Sequence, residues 1–166
     1  MPAREILLLG DPALYRQSQP VVEDEMVVIR DICDDLMDTI SVFREHHGWG
    51  RAIAAPQIGV LKRIVCIHAG EQVVLINPEI ELPGDETMIV WDDCMSFPEL
   101  LVKVQRHVRC RVRYRDLDWT AQVLELEGDM PELIQHEVDH LDGVLTIQRA
   151  LDDRSIVLRS QRGFLE

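Results

Sequence analysis

Apolar positions follow two rhythms along this chain. Between residues 24 and 46, Met26, Ile29, Ile32, Cys33, Leu36, Ile40 and Phe43 recur in steps of three and four. That spacing lines one face of an α-helix. Arg30, Asp31, Asp34, Asp35 and Asp38 fall largely on the other face. After a turn-rich stretch, HHGWGRAIAAPQIG, the rhythm shortens. RIVCIH (63–68) and QVVLINP (72–78) predict two strands folded as a hairpin about Ala69-Gly70-Glu71. Residues 86–91, 100–104, 107–115 and 121–127 predict further strands, with Pro83-Gly84 as a turn. In KVQRHVRCRVRYR (103–115), Val108, Cys110, Val112 and Tyr114 alternate with His107, Arg109, Arg111, Arg113 and Arg115. This basic stretch is expected to be a half-buried strand with a solvated face. A second helix is predicted over 130–141, with Asp129 as its N-cap, Pro131 in the first turn and Gly143 as a left-handed C-cap. Helix, then mostly adjacent strands, then helix implies an α+β fold, an antiparallel sheet packed around a central helix. No repeat, linker or low-complexity segment interrupts it, so residues 1–166 are expected to form a single domain.

Charge narrows the partners. The formal net charge is −13, a surface that repels phosphates and anionic lipid heads, so neither direct DNA binding nor membrane contact is expected. Charges break every apolar run before it reaches spanning length. The N-terminal apolar burst meets Gly10 and Asp11 at once and lacks the form of a secretory signal. A cytoplasmic protein is expected, with Cys33, Cys66, Cys94 and Cys110 far apart and reduced.

The chemistry concentrates at QHEVDH, residues 135–140. On a helix, His136 and His140 share one face and can present both imidazoles to one ion. Glu137 then stands where a general base meets an activated water. The plain alternative is a solvated helix with two incidental histidines. A third ligand is needed. No histidine follows His140, and Asp142, Asp152, Asp153 and Glu166 stand in no ligand motif. Upstream, His46, His47, His68 and His107 have no special setting. Cys94 lies in WDDCMSFP, which breaks strand alternation. A thiolate beside two imidazoles makes a Cys-His-His site with a fourth position open.

Three segments together resemble the peptide deformylase family. GRAIAAPQ (50–57) resembles its motif G-x-G-φ-A-A-x-Q, DDCMS (92–96) resembles E-G-C-L-S, and QHEVDH matches Q-H-E-x-D-H at every fixed position. The resemblance spans residues 4–150 in order and spacing. It implies hydrolysis of an N-formyl amide, releasing formate, from N-formylmethionyl peptides. It implies that Cys94, His136 and His140 bind one divalent ion, Fe2+ in the cell, with Zn2+, Ni2+ or Co2+ able to replace it. It further implies Glu137 as general base, and the Gln57 side chain and Met95 backbone N–H as donors to the developing oxyanion. Gly50 and Ala52 would lie along the edge that binds the substrate backbone. Asp139 would orient a ligand or the helix, and Gln135 would be structural.

The sequence also departs from that pattern. Ala52 replaces a glycine, and Asp92-Asp93 replace Glu-Gly, which puts a charged Asp93 beside the substrate path. An arginine common after the second motif is not evident, since Leu100-Leu101 occupy that region. Asp129 and Glu132 occupy positions that are commonly apolar and line the methionine pocket in the family. Two readings follow: both acids face water, or they form an acidic pocket suited to a formylated amine or peptide with a basic or polar group. A third reading is a catalytically inactive homologue that binds metal or a partner. The brief C-terminal segment, SIVLRSQRGFLE, puts ribosome docking in doubt.

Overall fold

The apolar stripe of the first helix runs true in a computed structural model, which describes residues 3–165. Helix α1 spans Met26–His47, and it buries Ile29, Cys33, Leu36, Ile40 and Phe43. Gly48 ends it in a left-handed conformation, with its N–H on the Arg44 carbonyl. Strand β1 (Ala52–Ala54) follows, then the hairpin of β2 (Ile64–Ala69) and β3 (Glu71–Glu81), whose register closes at Ala69 and Glu71 as expected.

The predicted strand at 107–115 is corrected. Strand β5 runs Leu100–His107, paired to β4 (Thr87–Asp92), and β6 begins only at Cys110 and ends at Arg115. Strand β7 is Ala121–Leu126, helix α2 is Met130–Leu141, and a short β8 (Ile156–Leu158) pairs with β5. The break at 108–109 matters for side-chain direction. Val102, Val104 and Arg106 form one inward row on β5, and Arg106 is 3% exposed. The basic stretch is therefore not wholly a solvated face.

All strand pairs are antiparallel, in two sheets: β1-β2-β3-β6-β7 and β4-β5-β8. The larger sheet is covered on both faces. Ile53, Ile64, Cys66 and Ile76 pack against α1. Ala52, Ala54, Val65, Ile67, Leu75 and Val112 pack against Leu133, Ile134, Val138 and Leu141 of α2. This explains why Ile64–Ile67 are buried without alternation. A third cluster joins Val102 and Val104 of the small sheet to Leu14, Cys94, Phe97 and Leu145. Helix α2 touches both sheets, so the observed architecture is α+β with antiparallel sheets around a central helix. Among the described residues, no helix is long and apolar enough to cross a membrane.

Both ends of α2 carry sequence signals, read with one correction. Pro131 sits in the first turn, but the Asp129 side chain makes no capping hydrogen bond. At the other end Gly143 holds φ +74, and a Cβ there would lie 2.5 Å from the Tyr15 carbonyl oxygen. Only glycine fits that close, left-handed turn.

Candidate metal centre and active site

Helix α2 is buried on nearly every side, yet Gln135, His136, Glu137, Asp139 and His140 are all among its buried residues. Each polar group taken from water needs a partner or a task. Two serve the scaffold. The Gln135 amide accepts from the His107 N–H at 2.9 Å and donates to the carbonyls of His107 and Pro131. Asp139 accepts from Arg106 at 2.7 Å and from two nitrogens of Arg149, each at 2.6 Å. It therefore anchors the helix to β5 and to the 3-10 turn Thr146–Arg149, not to a histidine.

The two histidines turn toward one point. Their Nε2 atoms lie 3.2 Å apart, and Cys94 Sγ lies 3.3 Å from Nε2 of His140. The ligand atoms of Cys94, His136 and His140 all fall within 4.8 Å of one another, in buried surroundings. A sulfur and two imidazole nitrogens converging in this way fit one borderline-soft divalent ion. Burial pushes His140 well below the usual imidazole range, which favours the neutral form that ligates.

Sequence reasoning missed what holds His136. Its Nδ1 lies 2.9 Å from Oδ2 of Asp92, and the Thr146 hydroxyl is also 2.9 Å from that nitrogen. Burial opposes the charged form of Asp92, but the hydrogen bond with His136 and the Arg106 guanidinium hold the carboxyl below the usual carboxylate range. A carboxylate can only accept, so Nδ1 carries the hydrogen and Nε2 keeps the free lone pair. Arg106 reaches Asp92 at 3.1 Å as well as Asp139, joining both acids from below. No short motif marks Asp92 for this task. The inward row Val102, Val104, Arg106 was the legible signal for Arg106.

Glu137 is 3% exposed, and its Oε2 has no hydrogen-bond partner among the described residues. Burial pushes its carboxyl up to about 7. A buried, unpartnered carboxyl of this kind on a cavity wall is suited to general-base work.

That cavity has a volume of about 460 Å³, and three of the chain segments that wall it bring polar groups to it. The Gly50-Arg51-Ala52 approach to β1 forms one wall, and Trp91, Asp92 and Asp93 at the end of β4 another. Glu132, His136 and Glu137 of α2 form the third. Gly50 holds φ +121, and a Cβ would press on the Phe43 ring at 3.1 Å. Ala52 lies within β1 with no left-handed backbone, so its methyl adds no strain. Gln57 is fixed by its own backbone, since Oε1 accepts from the Ala54 N–H at 2.9 Å. That leaves Nε2 on the site side, 3.1 Å from Ser96 Oγ and 3.7 Å from Cys94 Sγ. Met95 is buried and also lines the cavity, as does His68, for which the sequence suggested no special setting.

The two α2 acids part company. Glu132 lines the cavity, whereas the Asp129 side chain is 82% exposed. Arg51, which sequence reasoning passed over, bonds to both: to Glu132 closely, and to Asp129 at 3.3 Å. Asp93 is likewise answered. Arg159 donates to it at 3.0 Å, donates to the Pro98 carbonyl at 2.8 Å and lies over the Trp49 ring at 4.0 Å.

Comparison with known proteins gives one answer. The family model described as Polypeptide deformylase matches residues 3–155. The peptide deformylase of Thermotoga neapolitana is 35% identical over 157 residues, covering 94% of this chain and 92% of that protein. A protein named peptide deformylase-like from Brucella melitensis is 38% identical over 153 residues, covering 90% of this chain and 89% of its own. Among solved structures, a peptide deformylase from Synechococcus elongatus in complex with actinonin superposes with a TM-score of 0.84. It is 29% identical, covering 92% of this chain and 81% of that one.

Proposed function

The chain belongs to the polypeptide deformylase family, and from that premise we propose that it hydrolyses the N-formyl amide of formylated peptides, releasing formate. The observation that carries this reading is the convergence of Cys94, His136 and His140 beside the buried Glu137, with Cys94, His136 and Glu137 lining one cavity. Cys94, His136 and His140 would hold one divalent ion, Fe2+ in the cell, with Zn2+, Ni2+ or Co2+ as substitutes. When bound, that ion supplies Lewis acidity toward a water and a carbonyl oxygen.

The chain's own residues do the rest. Strand β1 is the edge of the larger sheet, so one side of its backbone is open to an added strand. A peptide laid there places its formyl end toward α2, between Gly50-Arg51-Ala52 and Trp91-Asp92-Asp93. Glu137 takes a proton from the attacking water and returns it to the nitrogen of the leaving amine. The Gln57 amide and the Met95 backbone N–H donate to the oxygen that gains charge. Asp92 keeps the hydrogen of His136 on Nδ1 throughout, so Nε2 stays a ligand. The reduced thiol of Cys94 suits a reducing compartment, and we place the protein in the cytoplasm. Contact with DNA, membrane or ribosome forms no part of the reaction.

The test is formate release from formyl-Met-Ala-Ser and related formyl peptides by anaerobically iron-loaded protein, beside Glu137→Gln. The variant is expected to keep its metal and to lose about 10²- to 10⁴-fold in kcat. Full activity in the variant would remove Glu137 from the role of base.

A further inference from the structure

Arg51 and Glu132 close one side of the catalytic cavity with an ion pair. Glu132 stands one turn before His136 on α2, so the two side chains share a face. Arg51 reaches it from the segment entering β1, across the cavity. The Glu132 side chain is 13% exposed and that of Arg51 39%, so the carboxylate is the buried member of the pair. At the rim the same guanidinium also meets Asp129, more loosely and in solvent. One cation therefore serves two carboxylates, while the other guanidinium on the cavity, Arg44, donates to the carbonyls of Gly50 and His68. Two further acids on the cavity are matched elsewhere, Asp92 by Arg106 and Asp93 by Arg159.

This inference rests on the deformylase reading and names its substrate class. We propose that the Arg51–Glu132–Asp129 wall selects formylated peptides whose first side chain is long and cationic, and disfavours acidic ones. A substituent on the carbon beside the formamide nitrogen lies only three bonds from the reacting centre. A side chain turned toward α2 must therefore run along Glu132, the residue one helical turn from His136. An apolar side chain there covers a charged pair without replacing the water it displaces. A lysine or arginine side chain lays its methylenes along Leu133 and carries its head outward to Asp129, where it stays wet and takes the carboxylate that Arg51 holds loosely. An acidic side chain meets two carboxylates for one guanidinium.

Formate release is to be compared for formyl-Lys-Ala-Ser, formyl-Met-Ala-Ser and formyl-Glu-Ala-Ser. The lysine peptide is expected to lead the methionine peptide by about tenfold in kcat/KM, mainly through KM, with the glutamate peptide last. The double variant R51I/E132I should reverse the first preference. Glu132→Gln, which keeps the volume of the side chain, should shrink it. Turnover led by the methionine peptide, with an order unchanged in both variants, overturns this inference and leaves the deformylase reading standing. Silence on all three peptides in metal-loaded protein overturns both.

Discussion

Asp92 decides which nitrogen of His136 is free, and through it the fate of the metal centre. Its carboxylate is held ionised by His136 and Arg106 although it is buried. Asp92→Asn keeps the volume and removes the charge. Metal affinity is expected to fall about 10- to 100-fold, measured by competition with a chelator. Unchanged affinity would show that Thr146 alone orients the ring. At this scale the sequence was legible where a residue stands in a motif. His136, Glu137 and His140 are fixed by helical spacing, and Cys94 is where it was sought. Asp92, Arg51 and Arg159 were illegible as partners because each acts on a residue distant in the chain. Nothing local distinguishes an acid beside a ligand cysteine from an acid that orients a histidine. The same holds for the acids of α2: a pattern of charges cannot reveal that Arg51 stands opposite Glu132.

Helix α2 is an element whose two ends were readable and whose surroundings were not. Pro131 and Gly143 bracket it, and the helix runs Met130–Leu141 as expected. Its burial on all sides came from the two sheets meeting over it, which no periodicity within the helix announces. Strand boundaries failed where alternation continued through a turn. The alternation over 107–115 runs through the turn at Val108 and Arg109, so the boundary between the strands predicted at 100–104 and 107–115 fell too early. The C-terminal anchor of α2 is correspondingly strict. Gly143→Ala would need a left-handed alanine and would drive its methyl into the Tyr15 carbonyl. We expect a loss of at least about 2 kcal/mol in urea denaturation. Wild-type stability would mean that the turn can relax away from Tyr15.

Across the whole molecule, the metal cluster ties together parts that otherwise pack in separate cores. Cys94 belongs with Val102, Val104 and Leu145, whereas α2 fills the core under the larger sheet. An ion held by all three ligands binds the folded chain and not the unfolded one. It should therefore stabilise the fold by about 2.7 kcal/mol when free metal is a hundred times its Kd. Differential scanning calorimetry of chelated and reloaded protein is expected to show a lower Tm without metal. Identical curves would mean that the cluster closes as firmly without an ion. The fold class was legible at this scale because strand and helix order alone limits how the layers can stack. The division into two sheets was not, because it depends on which edges remain unpaired.

Arg159 gives the molecule a direction in time. It braces Trp49 and Asp93, two walls of the cavity mouth, and every other part of the site precedes it in the chain. Synthesis from the N-terminus delivers the candidate ligands, the proposed base and the proposed oxyanion donors first. The brace arrives after them, with β8. A chain still being made can hold its chemistry before it holds the shape of its entrance, so the ability to cut a formamide should mature ahead of the ability to choose among peptides.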